Sequence, residues 1–183
     1  VTVGKPLSDI RDFVKTARAT QRVGELPPIT LAALRKNMIS LAGEISEGLV
    51  FANGCRSHMA SSLGVLSAEK RNDPQFFIGD MIPTCVYEDQ GVAAGVNRKT
   101  LIPYAMLENY RNYWKEAGYE EEMEAVEKAI ANEEGPEGIG KCLSDKWLSD
   151  TTLFGTPSQV LEGLEAWHDS GIKTPILVPS SAK

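Results

Sequence analysis

The sequence predicts an α/β protein in which right-handed βα units line up around a parallel sheet. Two observations carry that reading: short apolar runs alternate with segments of helical periodicity, and the runs lack the period-two alternation of a half-exposed strand. A third is the punctuation between them, where Pro27-Pro28, Asn53-Gly54 and Asn72-Asp73-Pro74 mark turns.

The elements follow in order. Leu7, Ile10, Phe13, Val14 and Ala17 recur at helical spacing over Pro6 to Ala19, with Ser8 or Asp9 as the expected N-cap. Ile29 to Leu34 is short, apolar and partly β-branched, as a strand buried on both faces should be. Met38, Leu41, Ala42 and Ile45 then predict a helix ended by Gly48, before a second buried strand at Leu49 to Ala52. A third helix is expected from about Ser57 to Val65, followed by a long strand from Phe76 to Tyr87, in which Pro83 requires an edge or a bulge. Val92 to Ala131 is helical throughout apart from breaks at Pro103 and Gly118, with Glu120, Glu121 and Glu122 at a helix start where the macrodipole favours them. Glu133 to Gly140, rich in Gly and Glu, is expected as a solvated loop. The clearest local signal is Gly155-Thr156-Pro157-Ser158-Gln159: Thr156 as N-cap, Pro157 as first helical residue and Gln159 as partner in a capping box. That helix carries Val160, Leu161, Leu164 and Trp167, ends at Gly171, and leads into a last buried strand at Pro175 to Pro179.

Composition narrows the function classes. A chain of 183 residues with 42% hydrophobic and 24% charged residues is that of a folded globular protein. Its 25 acidic and 19 basic residues give a formal charge of −6, which disfavours nucleic acid and anionic membrane surfaces and leaves a small-molecule substrate as the expected partner. No apolar run reaches the roughly 20 residues of a membrane-spanning helix and no secretory leader is legible, so the expected compartment is the cytoplasm. Cys55, Cys85 and Cys142 are odd in number and widely spaced, which predicts neither disulfides nor a zinc site.

Three stretches resemble one family: Pro27 to Leu34 running into Met38-Ile39-Ser40-Leu41-Ala42-Gly43-Glu44-Ile45; Gly48-Leu49-Val50-Phe51-Ala52-Asn53; and Gly155-Thr156-Pro157 leading to Gly171-Ile172-Lys173-Thr174-Pro175-Ile176-Leu177-Val178-Pro179. Together they resemble the luciferase-like monooxygenases, which include bacterial luciferase, flavin-dependent monooxygenases and oxidoreductases using the deazaflavin coenzyme F-420. The resemblance implies a (β/α)8 TIM barrel with a helical excursion, here at about residues 92–150, before the last strand. The Ile29, Leu49, Phe77 and Ile176 strands then look like the fifth to eighth, and the chain like the C-terminal half of the barrel. A complete barrel typically takes about 250 residues, more than this chain offers. By resemblance the protein is an oxidoreductase or monooxygenase acting on a small organic substrate by hydride transfer or oxygen activation, with FMN or coenzyme F-420 as cofactor. The half-barrel alone is expected to be inactive. The alternative is a noncatalytic half-barrel that self-associates. Either way a homo-oligomer, or pairing with the other half of the barrel, is expected to cover the neighbourhoods of Leu31, Ala33, Val50 and Ile176.

In such a barrel the site lies at the C-terminal ends of the strands, which selects Ala33, Leu34, Arg35 and Lys36 after one strand and Asn53, Gly54, Arg56, Ser57 and His58 after the next as cofactor-binding candidates. Both loops precede helix N-termini, whose free N–H groups suit a phosphate, and Arg35, Lys36 and Arg56 add charge. Pro179, Ser180 and Ser181 follow the last strand. Cys55 and His58, three residues apart, are the one conceivable nucleophile and base, with no third orienting residue visible. The aromatic group Tyr104, Tyr110, Tyr113, Trp114 and Tyr119 is expected to pack the excursion on itself. No acid, base or metal ligand is assigned.

Overall fold

A computed structural model describes residues 4–20, 22 and 24–182. In chain order the elements are α1 (Pro6–Ala19), β1 (Thr30–Ala32), α2 (Lys36–Ile45), β2 (Gly48–Ala52), a 3-10 turn (Arg56–His58), α3 (Met59–Leu63), α4 (Ala68–Asn72) and β3 (Phe77–Val86). They are followed by α5 (Gln90–Ala105), α6 (Glu108–Glu116), α7 (Glu120–Ala131), α8 (Gly135–Cys142), α9 (Asp145–Thr151), β4 (Leu153–Gly155), α10 (Pro157–Asp169) and β5 (Thr174–Pro179).

All strand pairings in the sheet are parallel. β1 pairs with β2 and β2 with β3, while β3, ten residues long, also pairs with β4 and β5. The sheet is open, the arrangement of a partial barrel. Pro83 is not at an edge, contrary to expectation. On one side Pro83 stays in register with Val178 of β5; on the other the β2 ladder ends at Ala52↔Met81 and the β4 ladder begins at Thr84↔Leu153, leaving a gap that accommodates its missing N–H.

The sheet separates two environments. On one face Leu49, Phe51, Ile78 and Ile82 pack with Ile39, Ala42, Met59 and Trp167 from the helices, forming the main core. Leu31 and Ala33 belong to this face too, which corrects their expected exposure. On the other face Val50 and Ile176 are half-buried, and Met81, the register partner of Ile176, is 41% exposed. A second core lies within the excursion, where Tyr113, Trp114, Tyr119, Met123, Trp147 and Leu148 pack together with Cys55 from the β2 turn. The excursion thus packs on itself, as its aromatic content predicted, and also clasps the end of β2.

Other local readings need correction. α1 has Lys5 as N-cap with no capping side chain, because Pro6 at the first helical position needs no N–H partner. α2 stops at Ser46; Gly48 instead opens β2, where a Cβ would lie 2.5 Å from the Phe77 Cβ. Pro103 lies inside α5 without ending it. The expected loop at Glu133 to Gly140 is largely helix α8, started by Pro136 and fixed by burial of Ile139 and Gly140. The capping box at Thr156 forms in full, with Thr156 Oγ1 accepting from the Gln159 N–H and Gln159 Oε1 accepting from the Thr156 N–H.

Candidate functional site

The C-terminal ends of β1 and β2 lie side by side because the two strands are parallel neighbours, and the turns that leave them meet α6. Between them is a hollow of about 270 Å³ lined by Leu34, Arg35, Lys36 and His58 from the expected set, with Tyr113 and Glu116 added by α6. The His58 and Tyr113 rings meet edge to face at 5.8 Å. No side chain caps α2, so the first N–H groups of that helix, at Lys36 and Asn37, are not consumed by a capping residue.

Electrostatics divide the cations of this hollow. Arg35 donates from Nε (3.0 Å) and Nη2 to Glu116, and this pairing holds the Glu116 carboxyl below its usual range, helped by the nearby charges of His58 and Lys36. Arg35 is therefore committed to Glu116. Lys36 is the cation left to face an anionic ligand at the mouth of α2.

The turn after β2 is held from within. Asn53 takes a left-handed φ of 57°, donates its N–H to the Met81 carbonyl at 3.1 Å and accepts from Trp114 Nε1 at 3.1 Å. The next amides are each taken by a different element: Gly54 N–H by Asp80 of β3 (3.3 Å), Cys55 N–H by the Tyr113 hydroxyl of α6 (3.0 Å), and Ser57 N–H by Asp150 of α9 (2.9 Å). Asp150 also accepts from Ser57 Oγ (2.6 Å) and from the Tyr119 hydroxyl (2.9 Å). The expected phosphate cradle at Asn53, Gly54 and Ser57 is thus a closed internal network. These residues position His58 rather than offering free N–H groups.

The remaining candidates separate. Ala33 is buried in the main core, donating its N–H to the Val50 carbonyl. Arg56 lines a different hollow, with Gln90, Ser149, Phe154 and Gln159. Cys55 is fully buried, and burial together with Asp150 and Asp80 pushes its thiol well above the usual range, so it is held as the unreactive thiol. Among the described residues, no group of three His, Cys, Asp or Glu is arranged to hold a metal. No helix among them is long and apolar enough to cross a membrane. A larger hollow of about 540 Å³ lies on the excursion between α5, α8 and the start of α9, away from the strand ends; Arg98 in its wall is tied to Asp145 and to the Leu143 carbonyl.

Asp150→Ala should cost about 2 kcal/mol, because it strands the buried Tyr119 hydroxyl together with the part-buried N–H and hydroxyl of Ser57, which now share one carboxylate. Urea unfolding reads the loss; Asp150→Asn, which keeps acceptor capacity, should recover part of it.

The model of the luciferase-like monooxygenase family matches residues 5–174. The chain belongs to this family. Two solved structures share its fold: the coenzyme F-420 dependent tetrahydromethanopterin reductase from Methanopyrus kandleri, with a TM-score of 0.63 at 14% identity, and an F-420-dependent secondary alcohol dehydrogenase in complex with an F-420–acetone adduct, with 0.61 at 14%. The match covers 83% of this chain and 44% of the reductase, and 87% of this chain and 45% of the dehydrogenase, so the chain spans under half the length of either. No curated protein matches the chain in sequence. Membership of the luciferase-like family agrees with the parallel, open sheet.

Proposed function

We propose that this chain forms part of the cofactor pocket of an oxidoreductase that uses a deazaflavin, coenzyme F-420, with FMN as the other candidate. The observation that carries the reading is the gathering of Leu34, Arg35, Lys36 and His58 around one hollow at adjacent parallel strand ends. Family membership supports it, and the reductase and the dehydrogenase that share the fold are both F-420-dependent.

The fit is partial, and informative for that reason. A whole cofactor commonly needs about 300–1,000 Å³, so a hollow of about 270 Å³ suits a phosphate or one edge of the ring system. Lys36 and the first N–H groups of α2 would hold a phosphate, with His58 and Tyr113 walling the same space. When bound, the deazaflavin supplies the hydride chemistry. This chain's residues supply position and charge: the Asp150 and Tyr113 clamps keep His58 in place, and the Arg35–Glu116 pair fixes the far wall.

Titrating the chain with coenzyme F-420 and with FMN by cofactor fluorescence tests the assignment. Lys36→Ala should weaken F-420 binding about tenfold, equivalent to about 1.4 kcal/mol. Arg56→Ala, in the other hollow, should change it less than about twofold, which is within the ±0.5 kcal/mol of a neutral surface substitution. Binding that depends on Arg56 and ignores Lys36 would overturn the placement.

A further inference from the structure

The carboxyl of Asp80 is fully buried at the base of the β2 turn. Its Oδ1 accepts the Gly54 N–H at 3.3 Å, and its Oδ2 has no hydrogen-bond partner among the described residues. Its register partners in the sheet are Phe51 and Pro175.

Among the described residues no cation pairs with this carboxyl. The titratable groups coupled to it are Cys55 from the β2 turn and Tyr110 and Tyr113 from α6, each pushed above its usual range by burial first and by the Asp80 charge as well. Asp150 of α9 lies beyond Cys55 and is acidic too. The contact is tight: a Cβ on Gly54 would lie 2.9 Å from Met59 Cε and 3.0 Å from Asp80 Oδ2.

We propose that Asp80 is a proton-operated latch on the turn that carries His58, closed while Asp80 is a neutral acid and loosened by water entry when it ionises. The inference goes beyond the cofactor reading and does not depend on it, since the turn responds whether or not the hollow holds a ligand. Burial holds the Asp80 carboxyl up at about 7, outweighing the Gly54 and Met81 N–H groups that favour its ionised form, which places the transition near neutral pH. The unfolded chain releases this proton at about pH 3.9, so the stability Asp80 contributes is complete below that pH and is lost as pH rises through about 7.

Amide exchange measured residue by residue and corrected for its intrinsic pH dependence tests the latch. Protection at Gly54 should fall at least about tenfold between about pH 6 and pH 8, while Met123 and Val126 in α7 hold theirs. Asp80→Asn should abolish that fall. A pH-independent Gly54, or an equal fall in the Asn variant, would overturn the latch. Should the variant fail to fold, the carboxyl carbon shift of Asp80 in the unaltered chain decides: a midpoint near 7 supports the proposal, and one below about 5 contradicts it.

Discussion

Trp114→Ala is expected to destabilise the chain by about 4 kcal/mol, lowering its melting temperature by on the order of 10 °C. Trp114 is fully buried, meets the Trp147 ring edge to face at 4.8 Å and leans on Tyr110 at 5.5 Å. Removing the indole leaves a cavity in the second core and deprives the Asn53 carbonyl of its donor at 3.1 Å. The effect should therefore reach the hollow: His58 loses part of the frame that aims it. Calorimetry reads the first consequence and the His58 ring resonances the second. A loss below about 1.5 kcal/mol would mean that the excursion does not clasp the β2 turn as described.

Gly48→Ala should cost about 3 kcal/mol, for a different reason. Gly48 opens β2 opposite Phe77 of β3, and a Cβ there would lie 2.5 Å from Phe77 Cβ and 2.8 Å from the Phe77 carbonyl oxygen. Backbone cannot swing aside as a flexible side chain would, so β2 and β3 must part at their first pair. Gly95→Ala is the internal control. It sits within α5 with nothing within 4 Å of the added carbon, and should gain roughly 0.5–1 kcal/mol from helix propensity. Opposite signs in urea unfolding are the expected result.

The sequence discloses what local physics controls. The apolar runs at β1, β2, β3 and β5 are long enough to mark strands, although the expected burial on both faces fails at β1 and β5, which the open sheet leaves partly exposed, and the Thr156 capping box is a purely local device. β4 escapes notice because three residues, Leu153 to Gly155, carry no period of their own and are a strand only by pairing with β3. α8 is hidden by its glycines, Gly135, Gly138 and Gly140, whose helix propensity is poor; packing against its neighbours, which buries Ile139, overrides that preference.

The same division runs through the site. Arg35, Lys36 and His58 were legible as residues following strands. Their partners were not, because the fold brings them from afar: Glu116 lies 81 residues from Arg35, Tyr113 lies 58 from Cys55, and Asp150 lies 93 from Ser57. Chain position alone made the Asn53–Ser57 turn look like a row of free N–H groups. Three long-range acceptors turned it into a support. Asp80 could have been singled out, since a lone carboxylate in an apolar run either has a task or is a cost.

Amide chemical-shift mapping tests whether the hollow between the ends of β1 and β2 receives the proposed cofactor. Adding coenzyme F-420 to the isotope-labelled chain should shift Lys36, Asn37 and His58 most, with smaller changes at Tyr113 and Glu116 and none at Arg98, Lys99 or Lys141 on the excursion. Shifts confined to the excursion, or spread evenly over the surface, would contradict the account.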